Sequence, residues 1–302
     1  MNSMLKSLAK KAIVYLQEIS PELATKILFK KYLGYTLNMN DPVTLNEKMQ
    51  WLKLKVYQDN ELVCKCVDKY RVREFVKEKG RSDLLVKLIG VWDSPDEINF
   101  SVLPNKFVLK CNHGSGSVIV CKNKEDLDQE KVKKQLKAWM SEDYGLQRAE
   151  LSYKGVEKKI ICEDLIETED GNPPKDYKIF CNYGVPKFLF VASERHGDDA
   201  YFDFYDLNWN HYDVQNDHLN SPKGNMKPNR LQDMLKAASD LSKEFPLVRV
   251  DLYFENNRIY FGELTFLHFG GLHKFTPEKY DKFFGNMIEF GHLVKTGRTK
   301  NV

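Results

Sequence analysis

The sequence predicts an α+β fold in which a mainly helical N-terminal region precedes a strand-rich remainder. Apolar residues recur at helical spacing through the first 84 or so residues, whereas β-rich runs between turns dominate from residue 85 onward. The third observation is a strand–turn–strand stretch at residues 246–271, PLVRVDLYFENNRIYFGELTFLHFGG. We expect the strand-rich part to be organised around this hairpin.

Length and composition narrow the class of protein. With 302 residues and 42% hydrophobic residues, the chain is long enough for one large domain or two to three small lobes. A net charge of +3 is too small to indicate a nucleic acid as partner, and no apolar run approaches a transmembrane segment. Six cysteines without metal or CxxC spacing read as core thiols of a reducing, cytoplasmic compartment.

The first two predicted elements are helices. Residues 5–16 form a basic amphipathic pattern with three lysines, which is unlike a signal peptide. Packing of this helix against the domain is favoured, and peripheral association with the inner face of a membrane is the alternative. A second helix opens at Pro21 and ends at Gly34.

Two further helix starts follow. The run Thr44-Leu45-Asn46-Glu47 is a capping box. Asp68 is the predicted N-cap of KYRVREFVKEK, which stops at Gly80. Lys69 would then oppose the helix dipole at the N-terminus, so an anion-binding role and a solvated surface lysine are both compatible with its position.

A glycine- and serine-rich loop follows the strand FVLKC. Gly114 and Gly116 allow a ligand to approach the backbone, Ser115 and Ser117 offer hydroxyl groups, and Lys110 supplies a charge for a phosphate. Neither a P-loop nor a GxGxxG spacing is present, so those phosphate-binding classes are disfavoured. A plain hairpin turn remains the alternative.

The middle and the end of the chain alternate between strands and helices. The buried strand ends in an acid cluster that begins with Glu163 and Asp164, and Asp176 and Lys178 share one face of the next hairpin. We predict a helix at 127–140, a buried strand at 160–162, a hairpin at 176–193, an amphipathic helix from 231 and a last helix from 277.

The hairpin at 246–271 carries the most informative charges. If residues 256–258 form a three-residue loop, Asp251 lies opposite Glu263 and Arg249 lies opposite Thr265. A two-residue loop would instead place the two acids on opposite faces. Adjacent carboxylates favour a bound cation, and oxygen ligands suit Mg²⁺ bound together with nucleotide phosphates. An ordinary hairpin with one acid at its rim is the alternative.

Six ordered motifs resemble the teichuronopeptide-biosynthesis type of the ATP-grasp superfamily, found with bacterial surface-polysaccharide and capsule genes. They are NEKMQWLKL, CVDKYRVREFV, FVLKCNHGSGS, IICEDLIE, DYKIFCNYG and VRVDLYF with GELTF, and the likeness runs from about residue 21 to about residue 290. The resemblance implies an ATP-grasp fold, in which two α+β lobes grip the nucleotide. Residues 1–84 would be the helical N-terminal region, 85–162 the N-lobe with the phosphate loop, and 163–302 the C-lobe with the metal-binding hairpin and C-terminal helix.

The same resemblance implies roles for particular residues. Asp251 and Glu263 would bind Mg²⁺, with Thr265 where the superfamily commonly has Asn, and Arg249 would act with Lys110 in catalysis. Main-chain groups of Asp164 and Ile166 would read adenine at a hinge that begins with Glu163, and Asp176 would bind the ribose. The implied ATP-binding residues are Lys69, Lys110, His113, Gly114, Ser115, Gly116, Ser117, Glu163, Asp164, Ile166, Asp176 and Lys178.

The activity that the resemblance implies is ATP-dependent, ADP-forming ligation of a carboxylate to an amine through an acyl phosphate. The partners would be a small-molecule or sugar-linked carboxylate, such as a uronic acid, and an amine or amino acid, in surface-polysaccharide biosynthesis. An ATP-grasp kinase acting on a hydroxyl is one alternative. A glycosyltransferase using the acids of the run Asp203-Phe204-Tyr205-Asp206 is another, and a non-catalytic nucleotide-binding module is the third. The sequence carries no signal for the oligomeric state.

Overall fold

The computed structural model of the chain describes residues 15–143, 145, 150–196, 199–289 and 291. Numbered in chain order, the helices are α1 (Pro21–Leu33), α2 (Leu45–Leu52), α3 (Glu61–Val67), α4 (Val72–Glu78), α5 (Gln129–Ser141), α6 (Leu231–Ser242) and α7 (Lys279–Asn286). The strands are β1 (Leu88–Trp92), β2 (Phe107–Cys111), β3 (Val118–Cys121), β4 (Ile160–Glu163), β5 (Asp176–Asn182), β6 (Val185–His196), β7 (Asp199–Tyr205), β8 (His211–Tyr212), β9 (Gln215–Asn216), β10 (Val248–Glu255), β11 (Arg258–Thr265) and β12 (Phe275–Thr276).

Two antiparallel sheets dominate the fold. The small sheet has the strand order β1-β4-β2-β3, and the large sheet has the order β11-β10-β5-β6-β7-β8. Strands β12 and β9 form a separate pair. The segment 164–175 connects β4 of the small sheet to β5 of the large sheet and contains no helix or strand. The predicted α+β class, with a helical N-terminal region, is confirmed.

Each sheet has its own buried core. The buried face of β2 presents Phe107, Leu109 and Cys111 to Val132 and Leu136 of α5, as the alternation of the strand predicts. The large sheet shares one continuous core with the helices α2, α3, α4, α6 and α7. The N-terminal helices therefore pack against the C-terminal half of the chain, and the proposed three-part division stays a prediction.

The N-terminal helices begin and end mostly where the sequence signals them. Gly34 adopts a left-handed φ of 89° after α1, which a glycine tolerates without a steric cost. The capping box is present, since the Thr44 hydroxyl accepts the Glu47 N–H and the Glu47 carboxylate accepts the Thr44 N–H. Residues 15–19 are helical, but most of the predicted helix at 5–16 lies outside the described residues.

The predicted start of the fourth helix is wrong by three residues, because α4 begins at Val72 rather than at Lys69. Asp68 caps a tight turn instead: its carboxylate accepts the N–H groups of the two residues after Lys69. The same carboxylate accepts the Asn112 side-chain amide at 2.9 Å, and the Lys69 N–H donates to the Asn112 carbonyl at 3.0 Å. Lys69 is therefore held against the end of β2 and not at a helix terminus.

The register of the β10–β11 hairpin is set by a short turn together with a β-bulge. The turn contains two residues, Asn256 and Asn257, both with positive φ (50° and 56°), so of the two loop lengths considered the shorter one is present. A bulge at Gly262 then shifts the pairing by one residue, and Asp251 faces Glu263 as the sequence analysis anticipated. A Cβ at Gly262 would lie 3.0 Å from the Asp251 carbonyl oxygen, which favours glycine at the bulge.

The six cysteines are all free thiols. Five of them are buried and Cys64 is half-buried. No helix among the described residues is both long enough and apolar enough to cross a bilayer.

Candidate functional site

A cleft of about 300 Å³ lies between the two sheets. Seven of the predicted nucleotide-site residues line it, together with the predicted metal ligand Glu263. The lining residues are Lys69, Arg73, Lys110, Ser115, Gly116, Val118, Ile161, Glu163, Asp176, Lys178, Tyr253, Phe261, Gly262 and Glu263.

On the small-sheet side, the acid Glu163 at the end of β4 holds two cations. Lys110 on the adjacent strand donates to one carboxylate oxygen at 2.7 Å, and Arg73 of α4 donates to the other at 2.6 Å. Arg73 also donates to the Val86 carbonyl at 2.7 Å, which fixes its guanidinium. Arg73 was not among the predicted site residues, and its signal in the sequence was only that of a second cation close to Lys69 in the chain.

The glycine- and serine-rich loop closes over Lys69. The Lys69 ammonium donates to the Gly114 carbonyl, and burial lowers the pKa of Lys69. Gly114 and Gly116 adopt φ values of 80° and 85°, which a side chain would disfavour. The Ser117 carbonyl accepts the N–H of Cys111 at 3.1 Å and so closes the loop on β2. The Lys69 side chain is thus bound directly to the loop.

His113 was predicted to belong to the phosphate-covering loop, but its side chain is not in the cleft. The ring is buried and its Nε2 donates to the Trp139 carbonyl of α5 at 3.2 Å. Burial lowers the pKa of His113, which agrees with a neutral ring. Its side chain therefore contacts the helix behind the small sheet, and a direct phosphate contact is not supported by this placement.

The predicted adenine contacts lie in the segment that follows β4. The Asp164 N–H donates to the Lys87 carbonyl at 3.0 Å, so this amide is occupied and is not open to a base. Neither Asp164 nor Ile166 lines the cleft. The adenine contacts of the Asp164 and Ile166 main-chain groups stay a prediction.

On the large-sheet side, Asp251 is the centre of a buried ionic network. The Arg249 guanidinium donates to both of its oxygens, from Nε at 2.7 Å and from Nη2 at 2.6 Å. Lys178, its neighbour on β5, donates to it at 2.5 Å and pairs with Asp176 at 2.6 Å. Burial raises the pKa of Asp251, and the charges of Arg249 and Lys178 oppose that effect.

Glu263 faces Asp251 across the hairpin and is much more accessible, with 36% of its side chain exposed. The Thr265 hydroxyl donates to it at 2.9 Å. Burial raises the pKa of Glu263, but the charges of Lys69, Lys178 and Arg249 outweigh this and lower the pKa to about 2. Glu263 is therefore an ionised carboxylate that faces the cleft.

The three predicted metal ligands converge on one cationic nitrogen. Arg249 Nη2 lies 2.6 Å from an Asp251 oxygen, 3.5 Å from a Glu263 oxygen and 2.9 Å from the Thr265 hydroxyl. Two carboxylates and a hydroxyl are ligands that Mg²⁺ accepts, and here a guanidinium holds the same oxygens together. These residues therefore fit a magnesium ion. In the part of the chain that the structure describes, no group of three or more His, Cys, Asp and Glu side chains is placed to hold a metal ion.

A histidine from the turn after β11 fixes the other end of Arg249. Arg249 Nη1 lies 2.6 Å from His268 Nδ1, and a guanidinium can only donate, so Nδ1 accepts and the ring proton is on Nε2. That N–H donates to Asn216 Oδ1 at 2.8 Å. Burial lowers the pKa of His268 well below its ordinary value, and the charge of Arg249 adds to this effect. His268 is a neutral acceptor that helps to hold Arg249.

The acids invoked for a glycosyltransferase have separate structural roles. Asp203 is fully buried and accepts hydrogen bonds from the Ser221 N–H at 3.1 Å and the Asn225 side chain at 2.8 Å. Asp206 accepts the N–H groups of Asn208 and Asn210, each at 2.8 Å, within its own turn. Each carboxylate is therefore used to hold a loop, and this alternative loses its metal motif.

Comparison with known proteins identifies a family and several solved structures. The family described as TupA-like ATPgrasp matches residues 47–289. No curated protein matches the chain.

Three solved structures are similar in shape at low sequence identity. An L-amino acid ligase from Bacillus licheniformis shows 13% identity and a TM-score of 0.49, covering 87% of this chain and 58% of that one. An ADP complex of N5-carboxyaminoimidazole ribonucleotide synthetase shows 16% identity and a TM-score of 0.44, covering 73% and 50%. A D-alanine–D-alanine ligase from Bacillus anthracis shows 16% and 0.44, covering 78% and 71%. The chain thus spans only 50% and 58% of the first two structures.

Proposed function

Because this chain belongs to the TupA-like ATP-grasp family, we propose that it is an ATP-dependent ligase that joins a carboxylate to an amine and releases ADP and phosphate. The family and the ATP-grasp fold predicted from the sequence are confirmed by the match over residues 47–289. The observation that carries the proposed reaction is the convergence of cations from both sheets on one cleft, opposite an ionised Glu263.

The phosphates of ATP are proposed to lie against the small sheet. Lys69, Arg73 and Lys110 supply three positive charges on that side of the cleft, and Ser115 and Gly116 bring loop backbone to the same place. Phosphoryl transfer depends mainly on positioning and on neutralising the charge of the transferred group, which is what this arrangement offers. The proposed nucleotide site also includes Asp176 and Lys178 on the large-sheet side of the cleft.

A magnesium ion is proposed to be held by Asp251, Glu263 and Thr265. When bound, it would neutralise charge on the terminal phosphates of the nucleotide. Arg249 contacts all three proposed ligands, so its guanidinium would lie next to the transferred phosphoryl group. The buried contacts with Asp251 and His268 orient Arg249 before substrate arrives.

The proposed reaction has two steps. In the first, a carboxylate oxygen of the substrate attacks the γ-phosphorus of ATP, an O–P bond forms, and the bond to ADP breaks. In the second, the amine attacks the acyl carbon, the C–O bond to phosphate breaks, and the amine loses a proton as the amide forms. Arg249 is proposed to stabilise the negative charge on the acyl phosphate and on the tetrahedral oxyanion.

The substrate class is the finest part of the proposal. We propose that the substrates are a uronic acid or another sugar-linked carboxylate and an amine or amino acid. The enzyme would join them in cytoplasmic steps of bacterial surface-polysaccharide and capsule biosynthesis. Support comes from the resemblance of six motifs to the polysaccharide-locus type of ATP-grasp protein. The lobes at 85–162 and 163–302, preceded by the helical region 1–84, form the proposed domain division.

A kinase acting on a hydroxyl is the competing activity, and an acyl-trapping assay separates the two. The enzyme is incubated with ATP, Mg²⁺ and a panel of uronic-acid sugars, with hydroxylamine in place of the amine. A ligase yields ADP together with a hydroxamate, because hydroxylamine captures the acyl phosphate. ADP formation with phosphate stably bound to a sugar hydroxyl, and no hydroxamate from any acid, would establish the kinase instead.

Arg249 provides the matched variant for this assay. In Arg249→Met we expect nucleotide binding to persist and hydroxamate formation to fall by about a hundredfold, the scale of one lost oxyanion donor. Arg258→Met is the control, because Arg258 is an exposed arginine at the turn of the same hairpin. Equal rates in the two variants would contradict the role given to Arg249.

A further inference from the structure

The outward side of the first described helices is apolar and exposed. Ile19 is 64% exposed, Leu23 is 48% exposed and Ile27 is 42% exposed, and the three residues are spaced four apart. The inward side of α1 is packed, since Phe29 and Leu33 are buried against the rest of the protein. We call Ile19, Leu23 and Ile27 the apolar stripe. Leu23 and Ile27 lie one turn apart on α1, and Ile19 ends the helical residues 15–19 just before it, so these exposed apolar side chains are grouped rather than scattered.

Positive charge is concentrated in the same part of the chain. Residues 1–35 contain six lysines and two glutamates, so they carry more positive charge than the net +3 of the whole chain, and the remainder is slightly acidic. On α1 itself, Lys30 and Lys31 are exposed and adjoin the apolar stripe, while Lys26 pairs with Glu22 at 2.7 Å. The apolar stripe is therefore accompanied by lysines that face the solvent.

We propose that the outward face of α1, with the helical residues before it, binds the surface of an anionic lipid bilayer. Helices that lie in a bilayer interface combine an apolar face with flanking lysines, which contact lipid headgroups while the apolar side chains enter the acyl boundary. Tyr15, 65% exposed, lies one turn before Ile19 and carries a phenol group suited to the same interface. This inference is independent of the proposed ligase activity.

Charge distinguishes a bilayer from a second copy of the chain. In a twofold dimer the same patch meets itself, so Lys30 and Lys31 of one copy would face the lysines of the other. Like charges brought together in this way oppose association. An anionic lipid surface instead complements both the apolar stripe and the lysines, which is why it is the occupant that we propose.

The position of α1 gives binding a consequence for the cleft. Through Leu33 and Leu37 the helix packs near Leu272, which directly follows the turn His268–Gly271. His268 in that turn holds Arg249. A protein bound through α1 would therefore keep the Arg249 side of the cleft at a fixed orientation to the bilayer.

Vesicle sedimentation tests the proposal. The full chain is mixed with vesicles of phosphatidylcholine alone or of phosphatidylcholine with phosphatidylglycerol, and the pelleted fraction is measured. We expect binding only with the anionic lipid, and at least a fivefold lower bound fraction for the triple variant Ile19→Ser, Leu23→Ser, Ile27→Ser. Val102→Ser, Leu219→Ser, Met226→Ser is the matched control, because these three apolar residues are 74%, 63% and 86% exposed elsewhere on the surface.

A charge variant and two solution measurements complete the test. Lys30→Glu, Lys31→Glu should also reduce vesicle binding, and added salt should weaken binding by the wild-type chain. Thermal melting confirms that each variant is folded. Failure of the wild type to bind anionic vesicles, or equal binding by the stripe variant and the control variant, would overturn the proposal. A concentration-dependent dimer in light scattering that only the stripe substitutions abolish would assign the face to a second copy instead.

Discussion

The two sides of the cleft neutralise their acids in different ways. Glu163 on the small sheet holds one cation on each oxygen, and those cations come from separate elements, α4 and β2. Asp251 on the large sheet is 1% exposed and accepts three hydrogen bonds from Arg249 and Lys178 within the sheet itself. The small-sheet acid therefore binds one cation from its neighbouring strand and one from a helix, whereas the large-sheet acid binds cations from β10 and its neighbouring strand β5.

This difference suggests a division of labour. The cations around Glu163 are partly exposed and can be shared with an incoming phosphate, because each of them has a single carboxylate contact. Arg249 is buried, and its nitrogens contact Asp251, His268 and Thr265 at 2.6 to 2.9 Å. We infer that, in the proposed reaction, the partly exposed cations of the small sheet would meet the nucleotide and the buried Arg249 would supply preorganised charge to the reacting groups.

The largest expected effect tests the rigid side. Asp251→Asn should abolish ATP turnover and lower the free energy of unfolding by about 3 kcal/mol, because it leaves two buried cations without their shared counterion. Glu263→Gln should also abolish turnover but should change stability much less, since Glu263 is 36% exposed. ADP release and denaturant unfolding measure the two quantities. Turnover within about threefold of wild type in both variants would contradict the metal assignment.

A smaller effect is expected on the small-sheet side. Arg73→Met should raise the KM for ATP about tenfold, roughly 1.4 kcal/mol of binding, and should change kcat much less. Arg71→Met is the matched control, because Arg71 lies two residues earlier and is exposed. The measurement is the KM of each variant for ATP in the ADP-release assay. If the KM values of the two variants were alike, Arg73 would have no role in holding the nucleotide.

The smallest effect concerns pH and the support of Arg249. His268 is kept neutral in the fold by burial, which lowers its pKa below the ordinary 6.5. The contribution of neutral His268 to the free energy of unfolding is complete above pH 6.5 and is lost as the pH falls below 6.5. The reason is that the unfolded chain then binds a proton that the folded chain does not. His268→Gln keeps an acceptor for Arg249 but does not titrate. We therefore expect the Tm to fall further between pH 7.5 and pH 5.5 in wild type than in the variant.

Parallel loss of Tm in the two proteins over that range would contradict the assignment of a neutral His268. A pH profile of the ligase reaction serves as the second measurement. The variant should preserve kcat at pH 7.5 to within a few fold, since its side chain still accepts from Arg249.

The hairpin shows how far sequence patterns predict the site. Alternation along β10 placed Arg249 and Asp251 on one face, and that placement is confirmed. A two-residue turn was expected to put the two acids on opposite faces, but the bulge at Gly262 returned Glu263 to its position opposite Asp251. A glycine inside a strand is itself a signal for a bulge, so this register was predictable from the residues that are present.

Other features depend on contacts that no local pattern encodes. His113 follows a strand, but beyond the strand end there is no period to say where a side chain points. Its direction is set by the Trp139 carbonyl, 26 residues later in the chain. Asp68 likewise carried a capping signal, yet the turn that it caps is fixed by Asn112, 44 residues away. Sequence signals identified the polar groups here, and tertiary contacts decided their partners.

The uneven burial of the six cysteines has a practical consequence for spectroscopy. Five thiols are buried, whereas Cys64 in α3 is half-buried. Burial raises the pKa of all six thiols, to about 12 for Cys162 and Cys181, but only Cys64 is partly accessible, so the other five should react more slowly with maleimide dyes. Brief labelling of the native protein should place a single fluorophore on Cys64, four residues before Asp68. That position would report on the turn carrying Lys69 without any engineered cysteine.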